Sequence, residues 1–112
     1  MKITVPTPTK RDDFVYVCSP FSSDPTKNVE LARKYCAEIW REGKIPIATH
    51  LYFPQFVNDL ESSERLRAIG YGEKAVGICS EIRVFGNYIS DGMKREITAA
   101  VKAGVPIRWC DA

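Results

Sequence analysis

The sequence predicts an α/β domain, a three-layer sandwich on a short, four-stranded, mainly parallel sheet. Three observations predict it. Four brief apolar and β-branched runs occur, FVYVC (14–18), IPIA (45–48), EIRVF (81–85) and VPIRW (105–109). The segments between them place apolar residues at spacings of three and four, and the two kinds of segment strictly alternate. Alternation of this kind joins parallel strands by right-handed crossovers and lays helices on both faces of the sheet.

Each element has a local reason. Residues 1–12, rich in Thr, Pro and charge, read as an extended arm preceding a single domain over 13–112. The run 14–18 is a buried strand. SPFSSDPTKN follows as a loop, in which Asp24 or Thr26 is placed to cap a helix with Pro25 in its first turn. Val29, Ala32, Tyr35, Cys36, Ile39 and Trp40 mark that helix over 27–42, and Gly43 ends it. The second strand contains Pro46, which suits an edge position. It leads to an aromatic, proline-containing loop at 49–61.

A second helix is expected over 62–78, weakened by Gly70, Gly72 and Gly77. After the third strand and the loop GNYISDG, a further helix over 92–103 carries an inward stripe of Met93, Ile97, Ala100, Val101 and Gly104. Trp40 is expected in the core or at a contact, and Trp109 in the core. In this topology ligands bind beyond the carboxyl ends of the strands, where strand order reverses. The loops 19–28, 49–61 and 86–92 therefore gather around one crevice.

Composition narrows the classes of function. At 112 residues there is room for one core and no separate cofactor domain. A net charge of +2, with basic residues scattered among acids, argues against a duplex nucleic acid partner. There is no apolar run of membrane-spanning length, and MKITVPTPTKRDD lacks the apolar centre of a signal peptide, so a cytoplasmic protein is expected. Cys18, Cys36, Cys79 and Cys110 are widely spaced among apolar residues, without a CxxC pair or nearby His; they read as free thiols, and neither metal nor cofactor is called for.

The stretch ISDGMKREI (89–97) carries the chemistry. Glu96 falls at the edge of the inward stripe, one turn after Gly92, whose missing side chain leaves access to the carboxylate. Ser90 and the amides of residues 91–93, with Asp91 among them, form a helix amino end suited to an anion. The plainer alternative makes Ser90 or Asp91 an ordinary cap and Glu96 a surface partner of Lys94 or Lys102. His50, Tyr52, Phe53 and Phe56 offer a proton donor and stacking surfaces, or else loop packing and a structural hydrogen bond. Asp24, Asn28 and Asn87 are polar residues near the same crevice, with capping as their default role.

VYVCSPF, IPIATHLYFPQF, CSEIRVFG and ISDGMKREITAAVKAGVPI together resemble the nucleoside 2-deoxyribosyltransferase-like superfamily, over Phe14 to Trp109. Ser90-x-Gly92-x-x-x-Glu96 is similar to the phosphate-binding serine and glycine and the nucleophilic glutamate of its 2'-deoxynucleoside 5'-monophosphate N-glycosidases. The resemblance implies a flavodoxin- or Rossmann-like fold in which Glu96 attacks C1' of the sugar and expels the base. It further implies that Ser90 and Gly92 hold a 5'-phosphate, that Ser19 and Phe21 border sugar and base, and that the chain forms a homodimer or larger assembly.

One departure stands out. Characterised members carry an aspartate that positions the sugar and handles the leaving base's proton; here AIGYGEKAV places Gly70 and Gly72 at about that point, with Glu73, Asp59 or Asp91 as replacements. Loss of a general acid costs roughly 10² to 10⁴ in rate. A small-molecule nucleoside or nucleotide is the implied partner. The alternatives are a non-catalytic module that captures a nucleotide or ADP-ribose-like signal, and an interaction protein with a vestigial site.

Overall fold

The computed structural model describes residues 13–21 and 23–110; the expected arm at 1–12 lies outside them. The elements are β1 (Phe14–Cys18), α1 (Pro25–Arg41), β2 (Ile45–Ile47), α2 (Thr49–Tyr52), α3 (Ser62–Gly77), β3 (Glu81–Val84), α4 (Asp91–Ala103) and β4 (Ile107–Trp109), with a 3₁₀ turn at Phe53–Gln55. The strands pair in the order β2-β1-β3-β4, all parallel. The direction of winding therefore reverses between β1 and β3, and the crevice opens there.

Strand alternation divides β1 between two cores. Val15 and Val17 face one side, where they pack with Tyr35, Ile39, Ala48 and Phe85 against α1. Tyr16 and Cys18 face the other, among Val76, Ile82, Met93 and Ala100 of α3, β3 and α4 and Cys79 between α3 and β3. Helices on both faces explain why β1 reads as an uninterrupted apolar run. Tyr35 and Phe85 stack at 3.9 Å between centroids on the first side. Arg83, 4% exposed, is held on β3 by both carboxylate oxygens of Glu42 at 2.7 and 2.8 Å and by Glu81 at 3.0 Å.

The helix ends follow the sequence closely. Asp24 caps α1 by accepting from the Lys27 amide, and Ser90 caps α4 by accepting from the Met93 amide. Gly104 ends α4 in the left-handed region at φ 71°. The β2 strand, which contains Pro46, lies at a sheet edge.

Four expectations need correction. The segment after β2 opens with helix α2 rather than a loop: its helical turn precedes Pro54, and that proline falls in the first turn of the 3₁₀ segment, where its missing N–H is not needed. Val101 is 65% exposed, not inward; at 3.6 residues per turn it points about 80° away from Met93, whereas Ala100 lies within about 20°. Trp109 is 61% exposed because β4 is an edge strand. Trp40, on the flank of α1 beside buried Ile39, is 72% exposed and so is not in the core.

Candidate active site

A cleft of about 540 Å³ opens at the carboxyl end of the sheet, walled by the β1–α1 loop, α2 and its following turn, α3, and the start of α4. Glu96 lies on its wall from the second turn of α4. The Tyr16 hydroxyl, rising from the centre of β1, donates to Glu96 Oε2. That hydroxyl also lies 2.9 Å from Thr49 Oγ1. A phenol has one proton, so with Tyr16 donating to Glu96, Thr49 donates to Tyr16. The chain Thr49 to Tyr16 to Glu96 thus ties α2, β1 and α4 at one point.

Gly72 of α3 completes this corner. A Cβ there would lie 3.5 Å from the Tyr16 hydroxyl, 3.7 Å from Thr49 Oγ1 and 3.8 Å from Glu96 Oε2. The glycine keeps the space beside the carboxylate open. Gly92 does the same at the helix start, where a Cβ would meet only Ser90 Oγ at 4.0 Å.

Burial raises Glu96 to about 7, opposed by hydrogen bonds from Tyr16 and Cys18 and assisted by the negative charge of Glu73. Near neutrality this carboxyl is therefore divided between its acid and its ionised form. Burial and the adjacent Glu96 push the Tyr16 phenol well above its ordinary range, and the same two causes raise the Cys18 thiol. Tyr16 is fixed as a donor rather than a base.

On the opposite side, Ser19 Oγ and His50 Nε2 are 3.0 Å apart, and Phe21 meets the imidazole edge-on at 6.3 Å. Burial lowers His50 to about 4, so it is neutral at physiological pH and can orient a ligand without carrying charge. Asn28 donates to the Phe21 carbonyl at 2.9 Å and so fixes the loop that bears Phe21. Tyr88 bonds to Ser23 across the two loops.

Of the residues named from the sequence, Ser19, Phe21, His50, Ser90, Asp91, Gly92 and Glu96 all line this cleft. Asn87 lines a smaller adjoining depression of about 270 Å³, reached past Ser19, Ser23 and Tyr88. Asp59 and Glu73 also line the main cleft, and Glu73 is held by Arg95 at 2.9 Å. Sequence reasoning missed Tyr16, Thr49 and Arg95. A polar atom inside the apolar run FVYVC was the available signal for Tyr16; nothing local marked the other two.

Among the described residues no three His, Cys, Asp or Glu side chains are grouped to hold a metal ion, and no helix is long and apolar enough to cross a membrane. A four-stranded parallel sheet in this order, with helices on both faces and a cleft at its carboxyl end, is a Rossmann-like α/β sandwich. The 2-deoxyribosyltransferase of the psychrotolerant bacterium Bacillus psychrosaccharolyticus superposes with a TM-score of 0.64 at 17% sequence identity, over 88% of this chain and 72% of that one. The chain belongs to the family described as Domain of unknown function (DUF7768), whose model matches residues 13–110. No curated protein matches it in sequence.

Proposed function

We propose that the protein cleaves the N-glycosidic bond of a nucleoside, a deoxynucleoside or its 5'-monophosphate, as a hydrolase or a deoxyribosyltransferase, with Glu96 as the nucleophile. The observation that carries this reading is Glu96 itself: a carboxylate on an open cleft, oriented by Tyr16 and flanked by the two glycines that leave room for a sugar. The ionised carboxylate attacks C1' as the bond to the base breaks, and water or a second base then releases the sugar from the glycosyl ester. Tyr16 aims the oxygen, and Thr49 fixes Tyr16.

The amides of residues 91 and 92 at the start of α4, with Ser90 and Gly92, suit the 5' end of the sugar or its phosphate. Ser19, Phe21 and His50 border the sugar and base. The partner is thus a small nucleoside or nucleotide. A homodimer or larger assembly fits the apolar surface left on Trp40, Trp109 and Leu66, which are 72%, 61% and 58% exposed.

Base release from a panel of nucleosides, deoxynucleosides and their 5'-monophosphates, followed by chromatography, tests the reading. Free base with the native protein and none with Glu96→Gln is the expected result. A second reading is favoured by Gly72, since no carboxylate stands there to handle the leaving base's proton: the cleft captures a nucleotide or an ADP-ribose-like signal without cleaving it. Ligand-dependent thermal stabilisation without base release supports that reading instead.

A further inference from the structure

The cleft holds Glu96 ready to attack but offers little to help a neutral base depart. We propose that its substrate is a nucleoside whose base already carries positive charge, an N-glycosylpyridinium or an N-alkylated purine, which leaves neutral and needs no proton from the protein. The chemistry of the inference rests on the glycosidase reading above.

The first support is a survey of proton donors. Tyr16 spends its proton on Glu96, and Thr49 spends its own on Tyr16. His50 is tied to Ser19 and neutral. Glu73 is engaged by Arg95, and Asp59 and Asp91 are exposed to solvent. Gly72, beside Glu96, has no side chain at all.

The second support is charge. Four carboxylates, Asp59, Glu73, Asp91 and Glu96, line the cleft, against Arg95 as the one Lys or Arg among the described lining residues. Such a field attracts a cation. Third, Phe21, Phe53 and Tyr88 line the same space, and aromatic faces favour cationic rings.

The step balances without an acid. A Glu96 oxygen forms a bond to C1' as the C1'–N⁺ bond breaks, and the electron pair of that bond passes to the ring nitrogen, which leaves uncharged. Water then adds at C1', the ester C–O bond breaks with its pair returning to Glu96, and one proton goes to solvent. A neutral purine or pyrimidine nucleoside instead expels an anionic base unless something protonates it.

The test uses nicotinamide riboside and its 2-deoxyribosyl counterpart, their uncharged dihydronicotinamide forms, and adenosine and 2'-deoxyadenosine. With native protein, nicotinamide should be released at least about 10²-fold faster than adenine, the lower end of what a general acid supplies. Adenine released as fast as nicotinamide overturns the inference and leaves the glycosidase reading standing. If no base leaves any of them, the glycosidase reading fails, and calorimetric binding decides the inference separately. The cationic nucleosides should then bind roughly tenfold tighter than their dihydro forms at low salt, the gap narrowing with added salt and in the Asp59→Asn, Asp91→Asn double variant. Equal affinity, or binding by neither, overturns it.

Discussion

Replacing Glu96 by Gln tests the buried carboxyl without any substrate. Gln keeps the size and still accepts from Tyr16, but it cannot ionise. Burial raises Glu96 from 4.5 to about 7, so the folded protein holds this proton more tightly than the unfolded chain does. Stability from that proton is full below pH 4.5 and is lost as pH rises through about 7. The gap of about 2.5 pH units, at about 1.36 kcal/mol each, corresponds to about 3 kcal/mol. His50 acts in the opposite sense. Burial lowers it from 6.5 to about 4, so its contribution is full above pH 6.5 and is lost as pH falls through about 4.

Between pH 4.5 and 6.5 the folded protein therefore holds one proton on Glu96, the unfolded chain holds one on His50, and these two contributions cancel. Glu96→Gln removes one side of that balance. Relative to native protein, its stability should climb by about 3 kcal/mol between pH 4.5 and 8. Urea unfolding followed by circular dichroism at pH 4.5, 5.5, 6.5 and 8 measures this directly. A variant that parallels the native curve, or is less stable than native at pH 8, refutes the placing of Glu96 in a desolvated site.

Three further substitutions probe the same scaffold. Tyr16→Phe removes a hydrogen bond to a charged group, a contribution of about 1.5–3 kcal/mol, so the Glu96 carboxyl should titrate about one to two pH units higher by carbon NMR, with base release falling in parallel. Gly72→Ala meets nothing nearer than 3.5 Å; it should stabilise α3 by up to about 1 kcal/mol in thermal unfolding while lowering base release by narrowing the space beside Glu96. Glu42→Ala leaves buried Arg83 with Glu81 as its remaining carboxylate partner, and the urea midpoint should fall by the equivalent of about 2 kcal/mol.

The fold was largely legible because its signals are local and periodic. FVYVC gives β1 to the residue, and Asp24, Ser90 and Gly104 cap where their chemistry places them. The candidate site was legible where it depends on one helix start, in Ser90, Gly92 and Glu96. It was illegible where it depends on packing between distant elements. Tyr16 and Glu96 are separated by 80 positions, and Tyr16 and Thr49 by 33. A tyrosine within an apolar strand gives no sign of which face its hydroxyl will occupy or what it will meet. Val101 and Trp109 failed for the converse reason, since apolar character alone says nothing of edge strands or helix flanks.

The burial that raises Glu96 also makes its ionisation sensitive to whatever occupies the cleft. In the free protein kcat/KM should rise with pH through about 7, because the attacking form is the carboxylate. A cationic base bound nearby favours the charged carboxylate and lowers the titration governing kcat below that governing kcat/KM. A phosphate at the start of α4 adds negative charge and moves it the other way. Comparing the two profiles for nicotinamide riboside and for a deoxynucleoside 5'-monophosphate separates these cases. Opposite displacements are expected if Glu96 is the nucleophile in both reactions. Identical displacements refute the view that substrate charge sets the ionisation of Glu96, and with it the reason for a cleft so rich in carboxylates.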